Sequence, residues 1–444
     1  MFKKFFSYPI MLILFLSVVS SIFFGALIKY HYDGGKKFEL LQKTAIIIAS
    51  IPFNIKQMIK HKTINLDKPP ILFKHKNKKK FEQFIKNKRN ALLILPKYDH
   101  SLRRSIIDIV DLNNFKVIHT YQHDISDMYN QITNLDEFPR LKIDSSPIRF
   151  LYQHPLLFED GSLIGISGIA YKLDFCSKLQ WINDEETFHH SQMLDHEGNI
   201  WIGGQKNPMS SYIKNYVLDG FNDDSLIKLN TDGKILFNKS ITELLIQNNL
   251  IDESTLMQQR TIDYIHLNDI EPVLKDSEYW KLGDLFISIR NQNAIIHYRP
   301  KTNKVLNYIT GPFDQQHDVD IISDSTISIF NNNNFSLNNQ YSNIVLYDFK
   351  KKEFSYLFND QLKKENFKTE SEGLSHIFQD GSLMVEEQNN GRIILFNKFG
   401  KKEWEFVNKD KNGNIGYISW SRIIEDELFI EKFKSIVRNK KCIN

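Results

Sequence analysis

Two cysteines in 444 residues are too few for a disulfide-stapled scaffold or a cysteine-based metal site. Cys176 and Cys442 stand far apart, and Cys442 lies in a tail expected to be loose. The spacing therefore reads as two unrelated thiols, with a single disulfide as the alternative. An excess of charge is missing as well. Against 57 Lys and Arg stand 53 Asp and Glu, a formal balance of +4, so no basic surface of the kind that draws in nucleic acid is indicated. Neither a His-x-His nor a His-Glu-x-x-His spacing occurs among the 14 histidines, which argues against a histidine metal centre. Aromatic residues are plentiful instead. With 33 Phe and 18 Tyr the composition suits a strand-rich protein.

One long apolar run exists, at the N-terminus. After Lys3 and Lys4 no charged residue occurs from Tyr8 to Ile28, a length that matches a helix crossing a bilayer. A cleaved signal peptide is the rival, but the run exceeds a usual apolar signal core and lacks a clear small-x-small site. The expectation is an uncleaved, single-pass inner-membrane anchor over residues 1–30. The lysines are nearly balanced across the run, and the short leading tail places the bulk of the chain on the periplasmic side. Residues 31–89 read as a membrane-proximal linker. It holds an apolar helical stretch, Leu40–Ile59, and a basic, solvated stretch, Lys74–Arg89.

From residue 90 an internal repeat sets the fold. Apolar strands alternate with acidic or Asn/Gly turns, as in His154–Phe158, Glu159-Asp160-Gly161, Ser162–Ser167 and Gly168–Leu173. Further copies run from His190 to Phe237, from Asp284 to Tyr308, from Ser325 to Tyr356 and from Asp380 to Phe406. An incomplete copy at Ala91–Ile118 lacks a strand that Gly416-Tyr-Ile-Ser-Trp420 could supply. Such units cannot bury their own faces and must pack radially. The expected fold is all-β, a six-bladed β-propeller over 90–425 whose first blade is closed by both chain ends, with a C-terminal tail at 426–444. Glu243–Asp276 reads as an insertion that starts as a helix, and Asn331–Asn339 as an exposed loop.

Histidines recur near the start of each copy's first strand: His154, His190, His266, His317 and His376. Strand-end capping and metal ligation are two readings, the second weakened because few carboxylates (Asp269, Asp318, Asp320) stand nearby. The third is an anion-handling site. Crowded imidazoles keep at least one ring neutral and nucleophilic, and Arg290, ending the apolar strand Phe286-Ile-Ser-Ile, needs an anionic partner.

At these residues the chain resembles the bacterial arylsulfate sulfotransferases. Tyr264-Ile-His266-Leu-Asn268-Asp269 is similar to their His-x-Asn motif, and Ser288-Ile-Arg290-Asn291-Gln292 to their arginine strand. Gly311-Pro-Phe-Asp-Gln-Gln-His317-Asp318 looks like their Gly-Pro-Phe…Gln-His-Asp stretch. The resemblance spans roughly 145–420 and implies nucleotide-independent transfer of a sulfuryl group from an aryl sulfate to a hydroxyl acceptor. It implies a transiently sulfated His317, with His266, Arg290, His190 and Asn268 around the sulfate. His189 is the alternative to His190, and His154 and His376 rest on the repeat alone. Neither cofactor nor metal is implied. A non-catalytic propeller that binds an anionic glycan or metabolite, or transfer or hydrolysis of another anionic ester, are the rival functions.

Overall fold

A computed structural model describes residues 8–32, 40–41, 44–45, 48, 72, 74–86, 88–133, 147–259, 261–335 and 341–442. The helix expected over Leu40–Ile59 falls mostly outside them. The chain forms two units, one of residues 1–65, 216–218 and 252–260, the other of the remainder. In the first, α1 (Tyr8–Tyr32) carries the apolar stretch Met11–Lys29 and is long and apolar enough to cross a membrane.

The second unit is an all-β propeller arrangement of antiparallel sheets. β1 (Phe81–Gln83) is discussed below. β2 (Leu92–Asp99), β3 (Arg104–Asp111) and β4 (Lys116–Tyr121) form a four-stranded sheet with β23 (Arg422–Ile424). β5 (Gln153–Leu157), β6 (Leu163–Leu173), β7 (Leu179–Leu194), β8 (Ile200–Gln205), β9 (Asp224–Leu229) and β10 (Ile235–Ser240) form one six-stranded sheet. Next come β11 (Leu267–Pro272), β12 (Leu285–Ile289), β13 (Ala294–Arg299) and β14 (Lys304–Thr310), then β15 (Val319–Ile321), β16 (Thr326–Asn331), β17 (Asn343–Asp348) and β18 (Glu353–Leu357). The last sheet has β19 (Leu374–Ile377), β20 (Leu383–Glu387), β21 (Arg392–Phe396) and β22 (Lys402–Val407), with β1 added at its edge.

Four of these five sheets have the four-stranded meander of a propeller blade. The expected six separate blades are corrected by β7, which runs 16 residues without a break. Its first part pairs with β6 (Tyr171 opposite Ile182) and its second with β8 (Met193 opposite Trp201), so two repeat copies share one hydrogen-bonded sheet.

Local chemistry explains the meanders. At the hairpin tips an Asx oxygen accepts the main-chain N–H two residues on: Asp160 from Ser162 (2.8 Å), Asp195 from Glu197 (2.9 Å), Asp380 from Ser382 (2.9 Å). Gly161 takes φ +77° at such a tip, where a Cβ would also meet the Phe175 ring. Central strands such as β12 are buried throughout, whereas the outer β14 and β18 are mostly exposed. Apolar cores lie between successive sheets and, in the six-stranded one, between its two halves. Leu156 and Ile164 pack with Ile202 and Ile227, Phe286 with Ile327, Ile344 with Leu383, and Leu93 with Leu395. The expected insertion begins as α2 (Ile241–Gln247), capped by Ser240 Oγ, which accepts from the Glu243 N–H (3.1 Å).

Both ends of the repeat are tied down more firmly than composition implies. Lys74–Arg89, expected as a solvated linker, contributes β1, paired with β22 through Phe81 opposite Phe406. His75 Nε2 lies 2.6 Å from Glu387, Lys78 2.5 Å from Glu405 and Arg89 3.0 Å from Glu403. Glu387 and Glu405 also flank the fully buried Arg392. The first sheet is completed from the far end of the chain: 416–420 meets β2 through a bridge of Lys97 with Ile418, and β23 continues the pairing with Leu93 opposite Ile423. The tail is not loose either. α3 (Glu427–Asn439) buries Ile430 and Phe433 against the core under β2, β3 and β6. Cys442 forms a disulfide with Cys176, correcting the expectation of two separate thiols. A bridge closing so long a loop contributes about 2–4 kcal/mol. Cys442→Ser should therefore lower Tm to that of the reduced wild-type protein and abolish the response to reductant in a thermal melt.

Candidate active site

The histidine-bearing positions share a backbone feature that composition hides. His154 (φ +39°), His190 (+65°), His266 (+55°), Gln315 (+49°), Glu372 (+57°) and Trp420 (+53°) all adopt left-handed conformations at or just before an innermost strand. Such residues cost energy and collect where function needs a side chain re-aimed. Here they turn the chain at one end of the unit so that side chains from four sheets meet.

The His190 ring lies 5.2 Å from that of His266 and 6.1 Å from that of His317. Trp420 forms a wall behind them, 6.2 Å from both His190 and His317. His317 is held at both nitrogens. Nε2 accepts the main-chain N–H of Glu372 (2.8 Å), so the ring proton sits on Nδ1 and is donated to Asn332 Oδ1 (2.7 Å). Burial, reinforced by the nearby charges of His266 and Arg290, lowers the His317 pKa to about 3 and keeps the ring neutral.

His266 has an anionic partner that the sequence reading missed. Its Nδ1 is 2.7 Å from Asp263 Oδ2. Burial alone would raise the Asp263 pKa, but the hydrogen bond from His266 and the charges of His266 and Arg290 outweigh it and lower the value. The i, i+3 spacing of Asp263 and His266 was the available signal. His189 is 2.7 Å from His190, Nδ1 to Nδ1, and its Nε2 lies 3.2 Å from Asp224. Asp224 also accepts the His266 N–H (2.9 Å), so His189 supports the cluster from the side.

Arg290 is joined to this group through its own backbone, its N–H donating to the His266 carbonyl (2.9 Å). Its Nη1 donates to Asn291 (2.9 Å), while its buried Nε has no hydrogen-bond partner among the described residues. Burial lowers its pKa and Asp263 opposes that shift. A buried guanidinium edge of this kind is suited to donating to an anion's oxygen.

Other expected members stand elsewhere. Asn268 donates to the Gln316 carbonyl (2.7 Å) and so braces the segment leading into His317. His154 touches Trp420 (5.3 Å), and burial, then the charge of Arg422, holds its pKa well below the ordinary imidazole value. His376 packs on Phe378 with Nε2 3.4 Å from Glu425, while Glu372 occupies the strand-entry position of that repeat. The asparagine run expected to be exposed instead begins with the buried Asn331, Asn332 and Asn333. Trp420 was read as part of a closing strand, and nothing local marked it as a wall.

Further along the same inner strands lie Asp269, Glu271, Asp318 and Asp320, with Arg422. Burial raises every one of these carboxyl pKa values, Asp269 to about 6, Asp320 to about 7, and Glu271 and Asp318 well above the usual range. Burial also lowers Arg422 to about 10. No group of three or more His, Cys, Asp or Glu among the described residues has the arrangement of a metal site.

The fold and the cluster define a propeller with three imidazoles and a tryptophan gathered at one end. The arylsulfotransferase (ASST) family model matches residues 165–409, more than half of the sequence and a span that includes His190, His266, Arg290 and His317. The chain belongs to the arylsulfotransferase family. No curated protein matches the sequence. Among solved structures it is similar to a Bacteroides caccae protein of unknown function, at 10% identity over 76% of this chain and 99% of that one (TM-score 0.46). It is also similar to TolB from Acinetobacter baumannii, at 10% identity over 75% and 66% of the two chains (TM-score 0.42). A third is virginiamycin B lyase from Staphylococcus aureus, at 10% identity over 61% and 94% (TM-score 0.35).

The carboxyl group of Asp320 gives a test. A carboxyl whose pKa is raised on folding stabilises the fold at acid pH, and that contribution is lost as pH rises through the folded value of about 7. The groups acting on it are Asp269, Asp318 and Arg422. Asp320→Asn should therefore raise Tm relative to wild type more at pH 8 than at pH 5. An equal difference at both values would show Asp320 ionised throughout.

Proposed function

We propose that this chain transfers a sulfuryl group from an aryl sulfate ester to a phenolic or other hydroxyl acceptor, without a nucleotide donor, through a sulfohistidine at His317. The observation that carries the reading is a neutral imidazole beside His190 and His266, within reach of the Arg290 charge, the buried Nε of which has no hydrogen-bond partner among the described residues. Nε2 of His317 attacks sulfur while the S–O bond to the aryl oxygen breaks. Arg290, His190 and His266 hold the sulfuryl oxygens, where charge accumulates in transfer. In the second half the acceptor oxygen attacks the same sulfur and the N–S bond breaks. His266, paired with anionic Asp263, is the group placed to take the acceptor's proton and to return one to the departing aryloxide. Burial of the site behind Trp420 strengthens each of these electrostatic contacts.

The setting fits a tethered enzyme outside the cytoplasm. α1 would anchor the chain in the inner membrane through residues 1–30, with the propeller on the periplasmic side. The Cys176–Cys442 bridge supports an oxidising compartment. The partners are then a small aryl sulfate, a hydroxyl acceptor and the membrane.

A second reading has its own observation. The Nε2 lone pair of His317 is engaged by the Glu372 N–H in this structure, as suits a pocket that only binds an anionic glycan or metabolite. The two are separated with the full chain in detergent, 4-nitrophenyl sulfate and phenol. Nitrophenolate release is expected, His317→Asn should abolish it at unchanged Tm, and Arg290→Ala should cost about 100-fold in turnover. An inert wild type whose Tm rises with a sulfated ligand would establish binding without transfer. Release from a phosphate ester but not from the sulfate would assign the site to another anionic ester.

A further inference from the structure

Asn332 stands in an asparagine run, yet its side chain is fully buried and makes three hydrogen bonds. Oδ1 accepts from His317 Nδ1 (2.7 Å), and Nδ2 donates to the carbonyls of Thr369 (3.0 Å) and Glu372 (2.9 Å). Reversing the amide would aim its N–H groups at a ring N–H and its oxygen at two carbonyls, so its orientation follows from its partners. The loop it grips is the one whose Glu372 N–H meets the other ring nitrogen of His317. That loop is braced independently, because Asn389 Oδ1 accepts from Thr369 Oγ1 (2.7 Å) and from the Ser371 N–H (3.0 Å). Lys368 Nζ also donates to the Asn332 carbonyl (2.6 Å), holding the backbone of the asparagine run. At Nδ1 the Asn332 oxygen is the nearer of two acceptors, the Gln315 carbonyl standing at 3.1 Å, and the same amide ties the ring to the loop that caps Nε2.

We propose that Asn332 is a positioning residue of the transfer, orienting the ring and, with the Gln315 carbonyl, holding the proton on Nδ1 so that Nε2 is the nucleophile and the sulfated ring stays cationic. The chemistry rests on the sulfuryl-transfer reading, whereas the tautomer assignment does not. As the Nε2–S bond forms, the S–O bond breaks and its electron pair leaves on the aryloxide. The ring retains the Nδ1 proton, because an amide oxygen cannot take it, and becomes a sulfo-imidazolium. Its positive charge makes the imidazole a good leaving group when the acceptor oxygen attacks and the electrons of the N–S bond return to Nε2. The Glu372 N–H, released from the lone pair that attacked, lies beside the new sulfuryl group and becomes a donor to one of its oxygens. A carboxylate at position 332 would draw the Nδ1 proton toward itself, reduce the charge on the ring and lengthen the life of the intermediate.

Two measurements on the full chain decide the matter. In protein labelled with 15N-histidine, His317 should show a protonated Nδ1 and a bare Nε2. Asn332→Ala, checked for a retained fold by circular dichroism, should shift the Nδ1–H resonance upfield, as that proton is left with the longer contact to the Gln315 carbonyl. A wild-type ring protonated at Nε2, or a spectrum unmoved in the variant, overturns the proposal whether or not the protein turns over. In turnover with 4-nitrophenyl sulfate and phenol, Asn332→Ala should lose about 100-fold in kcat with KM little changed. Asn332→Asp should keep the first release of nitrophenolate but accumulate the mass of one SO3 on the peptide bearing His317. Wild-type turnover by Asn332→Asp without accumulation would overturn the role assigned to the amide. If the wild type is inert towards every ester, the sulfuryl-transfer reading has failed and the tautomer spectrum alone judges Asn332.

Discussion

Burial of polar groups at one end of the unit governs its chemistry. The neutral state of His317 follows from desolvation first and from its charged neighbours second. The same desolvation leaves the Arg290 guanidinium without a full set of acceptors and holds protons on the carboxyl groups farther along the strands. In water none of these groups would differ much from its ordinary self. Enclosed by sheets, the imidazole and the carboxyls take the neutral form that burial favours.

Holding such groups together needs a stiff frame, and the sheets supply it by repetition. The left-handed residues at the strand entries let short loops turn toward the centre without lengthening. The closures secure the ring on several sides: β23 beside β2, β1 beside β22, and α3 with its disulfide across the sheet bearing Cys176. Charge contributes where apolar packing cannot, since the buried Arg392 is matched by Glu365, Glu387 and Glu405. The basic stretch near residue 78 is therefore part of the fold.

Much of this was legible in the chain. Strand order, turn positions and the motifs around His266, Arg290 and His317 are local patterns, readable because β-strands and Asx turns announce themselves over a few residues. His376 shows the limit. It sits close to its expected place in the repeat, but Glu372 occupies the left-handed turn there and His376 faces Phe378 and Glu425. The unbroken β7 shows another, because merging two copies depends on register across the sheet rather than on composition.

The amino-acid sequence by itself determined the apolar N-terminal helix, the strand-and-turn repeat and the residue types from which an anion site could be built. Tertiary structure alone decided which of those residues meet. Asn332 and Glu372 reach His317 from 15 and 55 residues away, Trp420 closes the wall from just before the last sheet strand, and Cys442 finds Cys176 across 266 residues. The reason is physical: hydrogen bonds and desolvation act over a few ångströms in space, and strand pairing together with the packing of sheet on sheet brings such residues within that range.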